Sequence, residues 1–495
     1  MGTDKPLPRT TDPGTRTLTK PNSSPVPPAK GTRDLYPDQM LRQNYITKLW
    51  RDTAIRHGFE EINGPSFEML ELYTRKSGEG IVSELFRFRR EGGDDDYALR
   101  PEFTPTLARM YAAKAASLPS PTKWFSIGPY FRAEKPQRGR LREFLQLNVD
   151  VLGGSDQASD DRDAICVVVD LYRSMGLGPS SLKVVLNDRR LVEKMATSRG
   201  LEPEHMQMFL WVMDNTGKKP VEELLKQARA TGIGQSQVKI FAELLQDLKA
   251  AADHPDKGTF DRLFPDAADE TYLFDQNRLF EELGIRDWIA NSITIARGLA
   301  YYTGTVFEVI AEGERAIAGG GRYDNLIELF GGPPTPAVGF GMGDVVLGLL
   351  LDDKGLMPQG KELIDALSQP AASLRPEAFV VAGSEDEDAL IEPLLANLRR
   401  GIETEGFDGK PWSTDRYTVR PMHARRTYKT TRNLKKLLAD AEKQHARFAI
   451  VLHGPDKVQV KDLDTREELV HERGDFSVDP QIDAYVGTAI AQRLA

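Results

Sequence analysis

Five basic side chains, Arg132, Lys135, Arg138, Arg140 and Arg142, fall within eleven residues of this chain, interleaved with Glu134 and followed by Glu143, Gln146 and Asp150. The stretch that holds them is WFSIGPYFRAEKPQRGRLREFLQLNVDVLG, residues 124–153. It reads as an apolar strand, a basic loop and a second apolar strand. A solvated charge run rarely sits between two β-rich apolar segments. A hairpin that offers arginines to phosphates does, because a guanidinium fork meets phosphate oxygens two at a time.

Two further constellations carry chemistry. In LRPEFTP, residues 99–105, a proline-flanked Arg-Pro-Glu after a strand sets Glu102 at a turn, where its carboxylate can accept from an ammonium group. A purely structural ion pair is the alternative. In ARGLAYYTGTVFEV, residues 296–309, Arg297 precedes Gly298, and the adjacent Tyr301 and Tyr302 point to opposite faces if the chain is extended. One of them would pack in the core and the other line a cavity; two packing tyrosines is the plainer reading. AGGGRYDNL, residues 318–326, adds a glycine run that permits close backbone approach to a ligand. It matches neither GxGxxG after a strand nor GxxxxGK[ST], so arginines would have to hold a nucleotide in place of a glycine cradle.

The elements that must position these groups alternate along the chain. Residues 1–30, rich in Pro, Thr and Ser, read as a disordered tail. Residues 31–355 read as one discontinuous domain interrupted by a mostly helical insertion at about 189–288. Near its end AVGFGMGDVVLGLLLDD, residues 337–353, reads as a closing helix with small glycines. A polar linker, 356–375, leads to a second α/β domain, 376–495, for which short parallel strands with crossover helices are expected. That domain holds a basic cluster, Arg416, Arg420, His423, Arg425, Arg426, Lys429, Arg432, Lys435 and Lys436, with Tyr417 and Tyr428 interleaved. Such a mixture suits single-stranded RNA, whose bases stack on rings while phosphates meet cations. A solvated basic face is the alternative.

The bulk numbers set limits. The chain has 495 residues, 40% apolar and 28% charged, with a formal net charge of −9. A large core is possible, and any nucleic acid must be held by local basic patches instead of the global field. A single cysteine, Cys166, excludes an internal disulfide and a cysteine zinc cluster. No apolar stretch approaches the ~20 residues of a membrane helix, no hydrophobic signal core is visible, and a cytoplasmic location is the expectation.

Taken together and in this order, these segments resemble the histidyl-tRNA synthetase family of class II aminoacyl-tRNA synthetases, across nearly the whole chain after residue 30. The basic hairpin resembles class II motif 2, ARGLAYY the histidine-specific signature usually written RGLDYY, and AGGGRYDNL with AVGFGMG the approach to motif 3. The resemblance implies an α/β chain with an antiparallel catalytic sheet, an anticodon-binding domain at its end, and a homodimer. It implies a histidine–tRNA ligase that forms histidyl-adenylate from L-histidine and ATP, with Mg2+ bound to the ATP, and passes histidine to tRNA(His). No protein-derived metal site is assigned. Carried over, Arg132 and Arg297 would stabilise the α-phosphate, and Arg140 would reach the β/γ end of ATP, with Glu134 and Phe144 also in the ATP site. Glu102, Thr104 and Gln146 would hold the substrate ammonium, with Gln146 also among the catalytic set. Asp150 and Tyr302 would meet the imidazole nitrogens, with Tyr301 adjacent. Gln137 and Arg138 would face the tRNA acceptor end.

Three positions depart from the family pattern. Ala300 stands where the signature usually has Asp, Asp150 where many members have Glu, and Val346 where motif 3 usually places an arginine over adenine. The rival reading is a catalytically silent, histidine-sensing regulatory paralogue of the histidine-biosynthesis type. It predicts loss of the Arg297 signature and of the anticodon-like domain, and both are present in the sequence.

Overall fold

Alternation of large apolar with small or polar residues builds the central sheet. In the hairpin, Thr122–Phe131 runs antiparallel to Glu143–Leu152, with Trp124 opposite Asp150 and Tyr130 opposite Phe144. Ala337–Gly343 adds to the far side of the second hairpin strand, with Gly339 opposite Asp150 and Gly343 opposite Gln146. Among the described residues the sheet has eight strands in the order Glu60–Glu61, Thr122–Phe131, Glu143–Leu152, Ala337–Gly343, Ala318–Arg322, Thr305–Ala311, Leu182–Asp188, Ile289–Asn291. Only the pairings at its two ends are parallel, so the sheet is antiparallel in its body. The structure is a computed structural model; it describes residues 26–77, 79–216, 219–253, 278–292, 302–311, 316–405, 416–472 and 482–494.

The period-2 alternation gives the sheet two unlike faces. Leu147, Val149, Val151, Val338, Phe340, Met342, Phe307 and Val309 point to one face and form the main core. The helices Pro37–Arg56 and Gln157–Ser174 cover it. The opposite face carries Gln146, Asn148 and Asp150 beside Gly339 and Gly341, and the helix Thr104–Ala112 roofs one end of it through a smaller core of Phe103, Leu107, Tyr130, Tyr302 and Tyr323. Beside that roof, Phe67–Met69, Asp96–Leu99 and Arg87–Arg89 make a small antiparallel sheet.

The structure corrects the sequence reading at three places. Residues 337–343 are a strand, and only Asp344–Asp353 is helical; Val338, Phe340 and Met342 alternate with glycines, which is a strand period and not a helical one. The expected linker 356–375 contains the helix Gly360–Ser368, whose buried Leu363 anchors it while it packs on Pro37–Arg56. The last sheet is mixed: Ala424–Arg426, Ala378–Ala382 and Phe448–Leu452 are parallel, but Lys457–Asp462 and Glu468–Glu472 follow antiparallel. Two antiparallel strands close that edge because the segments joining them are too short for a crossover helix.

Between 189 and 253 four helices, Arg189–Ser198, Met206–Asn215, Val221–Ala230 and Gln235–Asp253, bury a core of their own around Leu191, Phe209, Leu224 and Phe241. The C-terminal sheet likewise has its own core, including Val380, Leu395, Ile450 and Val486. It docks on Gln157–Ser174 through charge: Arg400 Nε lies 2.6 Å from Asp170 Oδ1, Arg426 Nη2 lies 2.6 Å from Ser159 Oγ, and Tyr428 Oη donates to Asp163 Oδ2 at 3.2 Å.

Candidate active site

Glycines floor the polar face of the sheet. A side chain at Gly339 would collide with the Asp150 carboxylate, and one at Gly341 would meet the Gln146 amide at 2.7 Å. One at Gly321 would come within 3.1 Å of the Tyr302 ring. Asp150, Gly339 and Gly321 lie opposite one another across three neighbouring strands. The missing Cβ atoms therefore let Asp150 and Tyr302 lie low over a single row of the sheet. Alternation brings Phe144, Gln146 and Asn148 to the same face. There Gln146 Nε2 donates to Asn148 Oδ1 at 2.7 Å, and Asn148 Nδ2 donates to Tyr130 Oη at 2.9 Å.

Asp150 is buried, and its Oδ1 accepts a 2.5 Å hydrogen bond from Tyr323 Oη. Burial pushes its carboxyl up to about 7, with the Tyr323 bond opposing. Tyr323 belongs to AGGGRYDNL, and its neighbours brace the floor. Arg322, fully buried, reaches Asp161 Oδ1 at 2.6 Å and Asp324 Oδ1 at 3.1 Å. Asp324 accepts from Thr303 Oγ1 at 2.8 Å. The segment after the glycine run thus delivers three polar side chains, Arg322, Tyr323 and Asp324, to the site's framework.

Glu102 follows the strand Asp96–Leu99 and precedes Thr104, the first residue of the helix Thr104–Ala112. The buried Arg100 holds this turn. Its guanidinium donates to Pro129 O at 2.8 Å and to Gly64 O at 3.0 Å, and stands 4.7 Å over the Tyr130 ring. Glu102 Oε2 is met by Lys76 Nζ at 2.5 Å; the lysine side chain is fully buried and that of Glu102 is 20% exposed. Burial lowers the Lys76 ammonium from the ordinary lysine value, Glu102 opposes that, and the nearby Arg132 adds to the lowering. Lys76, absent from the sequence reading, carries no local motif: it sits 26 residues from its partner.

The basic loop crosses the end of this face. Arg132 Nε donates to Pro101 O at 3.2 Å, and its guanidinium lies 5.2 Å from the Phe144 ring. Arg132 thus stands between the Glu102 turn and Phe144. Arg140 pairs with Glu134, and Arg138 Nη2 lies 2.8 Å from Asp353 Oδ2. The loop tip closes between Gln137 and Arg140 in reciprocal backbone hydrogen bonds, with Gly139 at φ +73°. Val346 sits against that tip, 3.1 Å from where a Cβ of Gly139 would stand. Beside it the buried Asp344 accepts from Leu145 N at 3.0 Å and is paired with Arg33, tying the segment before the first helix to the hairpin.

A cavity of about 480 Å3 opens next to this floor, lined by Lys76, Tyr302, Thr303, Asn325, Arg189 and Gln207 among others. Arg189, at the start of the insertion, donates to Tyr302 O at 2.8 Å, and Gln207 follows in its next helix. The structure therefore gathers Glu102, Thr104, Arg132, Glu134, Arg140, Phe144, Gln146, Asp150 and Tyr302 on or at the rim of one face, with Gln137 and Arg138 at the loop tip. Arg297, Ala300 and Tyr301 lie outside the described residues, as do residues 1–25 of the expected tail.

The C-terminal basic cluster does something else. Arg426 Nε pairs with Glu392 at 3.0 Å as well as reaching Ser159, and Arg425 lies over Gly58. Arg432 pairs with Asp388 at 2.6 Å, Lys429 with Asp440 at 3.1 Å, and Arg420 with Glu377. His423 is buried, its Nε2 receiving Arg425 Nε at 2.9 Å. Lys435 and Lys436 remain on the exposed face. Neither alternative read from the sequence describes Arg425, Arg426 and Tyr428: they are the docking surface between the two domains.

Comparison with known proteins adds to this geometry. The family model described as Histidyl-tRNA synthetase matches residues 31–343. The Histidine–tRNA ligase of Opitutus terrae is 34% identical over 458 residues, 88% of this chain and 94% of that protein. That of Haloarcula marismortui is 37% identical over 394 residues, 77% of this chain and 87% of that protein. Among solved structures, the histidyl-tRNA synthetase from Nostoc sp. PCC 7120 superposes with TM-score 0.51 at 20% identity, covering 94% of this chain and 99% of that one. A Bacillus halodurans protein titled ATP phosphoribosyltransferase regulatory subunit/histidyl-tRNA synthetase gives TM-score 0.54 at 17% identity, covering 86% of this chain and 99% of that one. The two superpositions speak for the fold.

Proposed function

The chain belongs to the histidyl-tRNA synthetase family, and from that premise we propose how its glycine-floored face performs the work of a histidine–tRNA ligase. Its function is to activate histidine with ATP and transfer it to tRNA. The observation that carries the site assignment is the single row Asp150–Gly339–Gly321 with Tyr302 above it, flanked by Glu102 and Arg132. An imidazole lying on the glycines meets Asp150 at one edge and the tyrosine at the other. Pairing both ring nitrogens leaves buried polar groups unmatched for any other amino acid, and such sites reject analogues by ~10⁴-fold or more.

Glu102 takes the substrate ammonium, with Thr104 and Gln146 beside it. This directs the carboxylate toward Arg132. A carboxylate oxygen attacks the α-phosphorus of ATP, the bond to the bridging oxygen breaks, and pyrophosphate leaves with the charge. Arg132 and Arg297 hold the negative charge that builds on the α-phosphate oxygens in a partly water-excluded site, where fixed donors are worth most. Arg140, paired with Glu134 at the rim, exchanges that partner for the β/γ-phosphates, and Phe144 offers a ring to adenine. In the second step the 3′-terminal ribose hydroxyl attacks the acyl carbon and AMP leaves; Gln137 and Arg138 face the acceptor end. Mg2+ arrives with ATP as part of that substrate. The grouping of Glu202, Glu204 and His205, whose ligand atoms lie within 4.8 Å of one another, belongs to the insertion.

We also propose a homodimer. Phe67, Met69 and Phe88 are exposed on the small sheet, with the Phe67–Phe88 and Phe88–Tyr97 rings at 5.7 and 5.6 Å. A contiguous exposed aromatic face of this kind marks an interaction surface, and a second copy is its proposed occupant. Among the described residues no helix is long and apolar enough to cross a membrane; the cytoplasm is the proposed compartment. Val346 is the feature that favours the rival, a silent histidine-sensing paralogue, because an apolar side chain packs at the position where the family places an arginine.

ATP–pyrophosphate exchange with each of the twenty amino acids separates the two readings. Exchange with histidine alone is expected. Histidine binding without exchange would assign the chain to the silent class.

A further inference from the structure

Glutamine is an ambiguous ligand for an ammonium. Its amide has an accepting oxygen on one arm and a donating NH2 on the other, nearly equal in size. Rotation about the last torsion exchanges the two at little cost, because that torsion is broad and roughly two-fold. The reading above sets Gln146 beside the substrate ammonium, where only the oxygen is useful. An NH2 in its place would bring donor against donor. Something must hold the amide the right way round.

The sheet supplies it two residues on. Asn148 lies on the same polar face, is 5% exposed, and takes no part in the steps above. Its Nδ2 donates to Tyr130 Oη at 2.9 Å, which turns its Oδ1 toward Gln146, and Gln146 Nε2 donates to that oxygen at 2.7 Å. The three side chains make a row polarised in one direction, from the half-buried Gln146 inward to the buried Tyr130. Burial pushes the Tyr130 hydroxyl above the ordinary tyrosine value, so the row carries no charge of its own at neutral pH. The floor is cleared for it. Gly341 lies opposite Asn148, and a Cβ there would come 2.7 Å from Gln146 Nε2 and 3.5 Å from Asn148 Oδ1. The Gln146 amide therefore lies over the glycine with its NH2 committed to Asn148, and its oxygen is the arm left for a ligand.

We propose that Asn148 is a positioning residue that fixes the Gln146 amide with its oxygen toward the substrate, and so sets how strongly this face prefers a ligand bearing an ammonium. Asn148 touches no substrate atom; it acts through Gln146. Glu102 attracts the ammonium by charge with either of its oxygens, whereas Gln146 contributes only while its NH2 is held back. The inference rests on the proposed function of this face.

The test compares histidine with imidazolepropionate, which keeps the imidazole and the carboxylate but has hydrogen in place of the ammonium. Binding of each is measured by equilibrium dialysis, without ATP, to the full-length wild type and its variants. Asn148→Leu keeps the bulk and removes both hydrogen bonds. In it the preference for histidine is expected to fall about tenfold, the contribution of one hydrogen bond to a charged group, while imidazolepropionate binds as before. Asn148→Asp keeps the accepting oxygen, and the Tyr130 hydroxyl can turn to donate to it; it should retain the preference. In a Gln146→Ala background, Asn148→Leu should change the ratio no further. Equal weakening of both ligands in Asn148→Leu is what a merely structural residue would give, and it overturns the inference. So does an unchanged ratio, a loss of preference in Asn148→Asp, or a ratio that still shrinks once Gln146 is gone. Should Asn148→Leu fail to fold, Asn148→Ala is read by the same ratio. A wild type that binds both ligands alike overturns it too. A wild type that binds neither would sink the functional reading itself and this inference with it, a result distinct from an unchanged ratio on a wild type that binds histidine.

Discussion

Two stretches of this chain look alike in sequence and are used in opposite ways. Residues 132–142 and 416–436 are both arginine-rich, both interrupted by aromatics or acids, and both suited on paper to nucleic acid or phosphate. In the first, the arginines of the loop tip and rim pair at the surface: the Arg138 side chain is 59% exposed and its partner Asp353 56%. Such pairs contribute roughly 0–1 kcal/mol and are readily traded for a ligand's phosphates. In the second, Arg426 is 19% exposed, Arg400 just before the stretch is 14% exposed, and their partners on Gln157–Ser174 are buried. The lesson is that a count of cations states a demand for anions but not whose anions meet it.

The largest expected effect tests the buried side of that contrast. Asp163 receives Lys123 Nζ at 2.9 Å and Tyr428 Oη at 3.2 Å. Burial raises its carboxyl, but Lys123, Arg399 and Arg426 outweigh it and hold the group below the usual range. Asp163→Asn should cost about 3–5 kcal/mol, because it leaves Lys123 buried without its counter-ion. Denaturation would show it, with histidine activation at 25 °C little changed. A cost within 1 kcal/mol would make the two clusters equivalent and remove the contrast.

On the other side, Arg132→Ala should leave stability nearly untouched and slow adenylate formation by about 10²–10³, the loss seen for one preorganised donor to a developing oxyanion. Single-turnover quench measures it. Normal adenylate formation would mean that the loop arginines, too, are structural.

Asp150 sharpens the comparison through pH. Its folded carboxyl lies at about 7, above the ordinary aspartate value. The folded state therefore holds this proton more tightly than the unfolded chain. Its stabilising contribution is complete below about 3.9 and is lost as pH rises through 7, a change of roughly 3–4 kcal/mol. Asp150→Asn, neutral throughout, should gain stability relative to the wild type by that amount between pH 4 and pH 8. A difference that stays constant with pH would show that Asp150 is solvated instead of enclosed.

The smallest effect belongs to the loop tip. Arg138→Ala should change stability by less than about 1 kcal/mol. It should lower the slope of log affinity for tRNA against log salt by about one contact's worth. Unaltered salt dependence would place the acceptor end elsewhere.

Much of the site was legible because its signals are local. Strand–loop–strand around Arg132, the turn that sets Glu102, and the alternation that puts Gln146 and Asp150 on one face all follow from neighbours in sequence. The strand 337–343 departs from the helix expected over 337–353 because Val338, Phe340 and Met342 alternate with glycines at a period of two, and only the apolar run after Gly343 has helical spacing. The helix inside the expected linker 356–375 left little mark in the sequence, because a single buried leucine, Leu363, is enough to hold it once another helix is there to receive it.

By itself the sequence determined which backbone stretches become strands, which face of each is polar, and where glycine clears room for a ligand. These depend on steric preference and a two-residue period, both of which act over a few positions. Only the tertiary structure decided the pairings: Lys76 with Glu102, Tyr323 with Asp150, Arg400 with Asp170 across 230 residues. An ion pair or buried hydrogen bond is a contact between groups brought together by the packing of whole elements. Its partners are chosen by which surfaces meet and exclude water, and no local pattern in the chain encodes that choice.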